Sequence, residues 1–90
     1  MAMPPARRVK PRSPDHAALG RAVVALREEA GMKQEELASR LERDLSAVGN
    51  LERGTANPTY ESLLGLATGL DAELSELFGR AEEIRREDDS

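Results

Sequence analysis

Cysteine is absent, histidine occurs once, and Tyr60 and Phe78 are the only aromatic residues. The first absence excludes a disulfide scaffold, a thiolate zinc site and a cysteine nucleophile. A lone His16 excludes a multi-histidine metal centre and leaves little for acid–base chemistry near neutral pH. No catalytic residue, metal or cofactor is therefore expected, and the chain does not read as an enzyme. No apolar run approaches the roughly 18 residues that mark a membrane span, and the first residues lack the apolar stretch of a secretory signal. A soluble, cytoplasmic protein is the expectation.

What is present is one domain's worth of chain. Ninety residues, 39% of them apolar, can bury a single modest core. With so few aromatics that core must be aliphatic, which suits packed helices better than sheets. The net charge of −4 conceals an asymmetry. Residues 1–14 carry Arg7, Arg8, Lys10 and Arg12 and no acid, residues 15–80 carry seven bases and twelve acids, and residues 81–90 two bases and five acids. Pro4, Pro5 and Pro11 break the first segment, so it reads as an extended basic arm over 1–14. A folded body over 15–79 and an acidic tail over 80–90 complete the division, with one further helical turn after Gly79 left open.

The body reads as five short helices. Ser13, Pro14 and Asp15 form a helix start, with a cap, a proline at the first position and an acid at the positive end. Leu19, Val23, Leu26 and Ala30 then share one face, and Gly31 stops the helix. Leu37, Ala38 and Leu41 line a second helix from Gln34. Asp44 caps a third from Leu45 to Arg53, with Val48, Leu51 and Glu52 on its inner face, and Gly54 ends it. Thr59 caps a fourth carrying Leu63, Leu66, Ala67 and Leu70. Asp71 opens a fifth carrying Leu74, Leu77 and Phe78. No window alternates with period two, so the fold class is all-α. Only Glu42, Arg43 and Asp44 separate the second and third helices, which forces a sharp turn. Such a turn fits either an ordinary helical hairpin or a helix-turn-helix unit.

A longer pattern distinguishes them. Leu26-Arg27, Gly31, Gln34-Glu35-Glu36-Leu37-Ala38, Leu51-Glu52-Arg53-Gly54, Asn57-Pro58 and Leu63-Leu64-Gly65-Leu66-Ala67 together resemble the lambda repressor/Cro family of helix-turn-helix DNA-binding domains. The resemblance spans roughly residues 16–78. Restriction–modification controller proteins and small actinobacterial regulators of this family are similarly short, and the sequence does not choose between them. The resemblance implies a compact five-helix domain whose third helix reads DNA. It implies that Arg27 pairs with Glu52, and that Gln34 holds a phosphate with Arg53, Thr55 and Asn57. Leu45, Ser46, Gly49 and Asn50 would be the base-reading set, with main-chain N–H groups of 54–57 offered to phosphate. The chain departs from the pattern at several places. Glu42 replaces the usual turn glycine, Arg43 a buried aliphatic, and Lys33 the usual hydroxyl cap. Thr55 and Ala56 stand where many relatives carry Lys or Arg.

These readings imply a sequence-specific transcriptional regulator that binds double-stranded DNA as a homodimer and blocks or recruits polymerase by occupancy. Leu74, Leu77 and Phe78 are the expected dimer interface, and the arm residues Arg7, Arg8, Lys10 and Arg12 are expected to touch the duplex. The alternative is a protein-interaction module, antitoxin-like or anti-regulator, whose last helix and acidic tail bind a protein partner. His16, beside a helix start, reads as a solvated side chain.

Overall fold

The computed structural model describes residues 10–89, within which there are five helices and no strand. Arg7 and Arg8 lie outside the described residues. α1 spans Pro14–Glu29, α2 Gln34–Arg40, α3 Leu45–Arg53, α4 Tyr60–Gly69 and α5 Leu74–Asp88. The expected caps are formed. Ser13 Oγ accepts from the His16 N–H at 3.1 Å, Asp44 Oδ1 from Ala47 at 2.9 Å, and Thr59 Oγ1 from Ser62 at 3.1 Å. Each satisfies a donor that a helix start leaves open. Lys33 gives α2 no side-chain cap.

α1 packs against both α3 and α5, α2 against α3, and α4 against α5. The largest fully buried side chains are Val23, Leu37, Val48, Leu66 and Leu77, one from each helix. Burying each contributes roughly 1.5–3 kcal/mol before conformational entropy is counted. Leu77 is therefore not interface surface: it is the fifth helix's core residue, with no exposed area left for a second chain. Leu74 is half-buried against the same core, and Phe78 is 39% exposed.

The C-terminal end also differs from the sequence reading. Asp71 does not open α5. Its backbone is left-handed, φ +55°, and its N–H donates to the Thr68 carbonyl, so it closes α4. α5 starts instead after Glu73, whose N–H donates to Glu76 Oε1 at 3.1 Å. It then runs through Gly79 to Asp88, so a separate tail from residue 80 does not describe this segment. Leu77, Ala81 and Ile84 recur at spacings of four and three on the face that meets the core. Arg80–Glu29, Arg85–Asp15 and Arg21–Asp88 ion pairs tie the same stretch to α1.

Candidate nucleic-acid interface

α3 meets both α1 and α2 through its inner face and turns a largely polar face outward. Val48 is fully buried, and Leu51 and Glu52 are mostly covered. Leu45, Ser46, Asn50 and Arg53 are exposed. Two features of α1 fix this pose. At Gly20 a Cβ would stand 2.6 Å from the Leu51 carbonyl oxygen and 2.4 Å from that of Glu52, so the two backbones meet at a distance only glycine allows. Apolar periodicity does not single out Gly20, although an isolated glycine within a helical pattern is itself a signal of close packing.

The second feature is a charged clamp. Arg27 Nε donates to Glu52 Oε2 at 2.6 Å and Arg27 Nη2 to Oε1 at 3.3 Å. Arg27 Nη1 donates to the Met32 carbonyl at 2.8 Å. Gln34 Nε2 completes the carboxylate's shell by donating to Oε1 at 2.6 Å. The Arg27 and Glu52 side chains are only 12% and 6% exposed. The expected Arg27–Glu52 pair is thus present, and it joins the end of α1, the start of α2 and the last turn of α3. Gln34 lies inside the clamp rather than standing free at the start of α2.

Beyond α3 the loop 54–59 is tied down on both sides. Gly54 closes the helix at φ +76°, and a Cβ there would meet the Ala17 backbone at 2.9 Å. Its carbonyl accepts from the Arg12 N–H at 2.9 Å, which roots the arm beside the end of α3. His16 is half-buried and bridging, not solvated. Its Nδ1 lies 2.6 Å from Ser13 Oγ and its Nε2 3.0 Å from Asn57 Oδ1. Since an amide oxygen only accepts, Nε2 donates to Asn57, and in the neutral ring Nδ1 accepts from the Ser13 hydroxyl. The N–H groups of Gly54, Thr55 and Ala56 are not offered outward. Gly54 donates to the Leu51 carbonyl, and Thr55 and Ala56 donate to that of Asn50, at 3.0 to 3.2 Å. The Thr55 hydroxyl also donates to the Asn50 carbonyl, at 3.2 Å. Asn57 keeps its amide N–H groups.

Gly49 is not an open reading position. The Arg53 side chain folds back along the helix and covers it. Arg43, in the turn between α2 and α3, is exposed and not packed in place of an aliphatic.

Two short helices joined by a tight turn, with the second braced from behind and bare in front, are a helix-turn-helix arrangement. A family model described as a helix-turn-helix domain matches residues 18–77, two thirds of the chain. The chain belongs to that family. Among solved structures, this helix-turn-helix chain is similar to the restriction-modification controller protein C.AhdI from Aeromonas hydrophila, at 41% identity over 73% of this chain and 100% of that one, TM-score 0.71. It is similar to the clp gene regulator ClgR from Corynebacterium glutamicum, at 26% identity over 77% of this chain and 90% of that one, TM-score 0.73. A tetramer of the controller protein C.Esp1396I in complex with its natural 35-base-pair operator is 25% identical over 83% of this chain and 99% of that one, TM-score 0.76. No curated protein sequence matches the chain. Among the described residues no helix is long and apolar enough to cross a membrane.

Proposed function

We infer that this helix-turn-helix protein is a sequence-specific transcriptional regulator. It binds operator DNA as a homodimer in the cytoplasm and carries out no catalysis. The observation that carries the reading is the outward face of α3, where Leu45, Ser46, Asn50 and Arg53 stand exposed on a helix immobilised by Gly20 and the Arg27–Glu52–Gln34 clamp. Similarity to controller proteins, one of them bound to its operator, supports the same reading.

In this account Ser46 and Leu45 meet base edges. Gln34, whose amide has a second hydrogen beyond the one given to Glu52, holds a phosphate without leaving the clamp. Asn57 does the same with its free amide hydrogens. The arm, rooted at Gly54, lays Lys10 and Arg12 with the residues before them along the duplex backbone. The dimer forms through Phe78 and the exposed edge of Leu74. The alternative, an interaction module on the last helix and acidic tail, is less supported, because Leu77 is core and residues 80–88 belong to a helix packed on α1.

Selection of bound sequences from random duplex DNA tests the proposal. A two-fold dimer should enrich a pseudo-palindrome with half-sites about one helical turn apart. Enrichment of no sequence would overturn it.

A further inference from the structure

Ser46, Gly49, Asn50 and Arg53 lie at spacings of three, four and seven and so share one face of α3. Gly49 contributes no side chain to that face, yet the position is filled. A Cβ built on Gly49 would stand 2.9 Å from Arg53 Nη1, 3.3 Å from Nη2 and 3.4 Å from Cζ. The guanidinium thus occupies the space that a side chain at 49 would take, one turn closer to the helix N-terminus than its own Cα. In recognition helices it is the N-terminal part that reaches base edges, whereas the C-terminal end runs out toward the backbone. The fold-back carries the cation from the second region toward the first.

Asn50 holds it there. Arg53 Nη2 donates to Asn50 Oδ1 at 2.8 Å, and the Thr55 hydroxyl stands 3.4 Å from the same oxygen. One lone pair of the Asn50 side-chain carbonyl is therefore given to Arg53, which leaves the second lone pair and both amide hydrogens. A bidentate contact to adenine, which needs both an acceptor and a donor from one amide, would have to share that oxygen with the Arg53 cation. Arg53 retains both Nη1 hydrogens and one on Nη2, since no other hydrogen bond of its guanidinium is present among the described residues. That is a planar fork of donors matched to the O6 and N7 acceptors of guanine.

We propose that Arg53, seated on Gly49 and positioned by Asn50, reads a guanine in each half-site. The proposal rests on the DNA-binding reading above and assigns its base chemistry. Gly49 is the permissive seat, and Asn50 is a positioning residue with no base of its own.

The test is selection from random duplexes at fixed salt, run on wild type, Gly49→Ala, Asn50→Ala and Arg53→Ala, with base preference scored at each position. Wild type should require a G·C pair at one place in each half-site. Asn50→Ala and Arg53→Ala should lose preference at that same pair, by roughly 5- to 150-fold in discrimination, and keep it at the other pairs. Gly49→Ala displaces only the far end of the Arg53 side chain and should lose part of the same preference. Gly49→Ala is the most telling variant, because alanine favours the helix and the protein should fold at least as well as wild type. Three results would overturn the proposal. Gly49→Ala could retain every preference. Asn50→Ala could lose preference at a different pair, making Asn50 a reader in its own right. Arg53→Ala could weaken all duplexes equally with a shallower salt dependence, making Arg53 a phosphate contact. Failure of wild type to enrich any sequence would instead remove the regulator reading and this inference with it.

Discussion

Glu42 adopts a left-handed backbone, φ +53°, in the three-residue turn before the recognition helix. A side chain in that conformation costs about 1–2 kcal/mol, which glycine would avoid. Glu42→Gly should relieve the strain and return part of it through the greater freedom of the unfolded chain. The expected outcome is a net gain of about 1 kcal/mol, read as a higher denaturant midpoint at unchanged slope. No gain would mean that the Glu42 side chain stabilises the turn in some way that offsets its backbone. At this scale the sequence was most legible where chemistry is local. Ser13, Asp44 and Thr59 act on donors three residues away, and all three caps are formed. The fold-back of Arg53 and the bridge from His16 to Asn57 were not legible. Both depend on which of many conformers a side chain takes against atoms that only the folded chain supplies.

Between elements, the orientation of α3 rests on backbone contact and on one mostly buried ion pair. Gly20→Ala would drive a Cβ into two carbonyl oxygens of α3, atoms that cannot swing aside. It should cost about 1–3 kcal/mol by overpacking and tilt the recognition helix, so duplex affinity should fall further than stability does. Equal thermal stability for Gly20→Ala would show that α1 and α3 are less closely apposed. Glu52→Ala strands the Arg27 guanidinium in a nearly closed site and removes a partner from Gln34. Its expected cost is about 3–5 kcal/mol, against less than about 1 kcal/mol for Asp88→Ala, which breaks the exposed Arg21 pair. Chemical denaturation of the two variants separates these magnitudes, and comparable losses would contradict the clamp. A further tie between α1 and α5 is pH-dependent in sign. The hydrogen bond from Arg80 holds the Glu29 carboxyl below its ordinary range, so this stabilisation is present at neutral pH and lost as pH falls through the lowered value. Element existence was legible throughout, and α3 ran as expected from Leu45 to Arg53. The length of α5 was not, because Gly79 reads as a stop. Yet its backbone is ordinary helix, and Leu77, Ala81 and Ile84 carry the apolar stripe past it.

At the scale of the whole molecule, the proposed dimer needs a surface that a second copy can cover. Among the described residues, Tyr60, Leu64 and Phe78 are the large apolar side chains exposed outside the recognition helix. Leu77 does not belong to that set, so the two neighbouring substitutions should behave differently. Leu77→Asp buries a charge in the core and should unfold the chain. Phe78→Asp should leave helical content intact and shift a micromolar dimer to monomer in sedimentation. A folded Leu77→Asp protein, or a Phe78→Asp dimer, would contradict the assignment. Long-range packing of this kind was the least legible layer of the sequence, since an apolar residue at a helix end reads the same whether it covers its own core or a partner's.

Charge bears on DNA binding as well, because an acidic body must still hold a polyanion. Binding by this protein should therefore depend on a few placed contacts and on the basic arm rooted at Gly54. The decisive measurement is the affinity for a selected palindromic duplex and for its scrambled counterpart, each titrated over a series of salt concentrations. The palindrome should bind at least about a thousandfold tighter. Log affinity should fall linearly with log salt on both duplexes, and deletion of residues 2–10 should reduce the slope by about 0.9 for each phosphate that the arm neutralises. Equal affinity for the two duplexes, or binding indifferent to salt, would contradict a sequence-specific regulator.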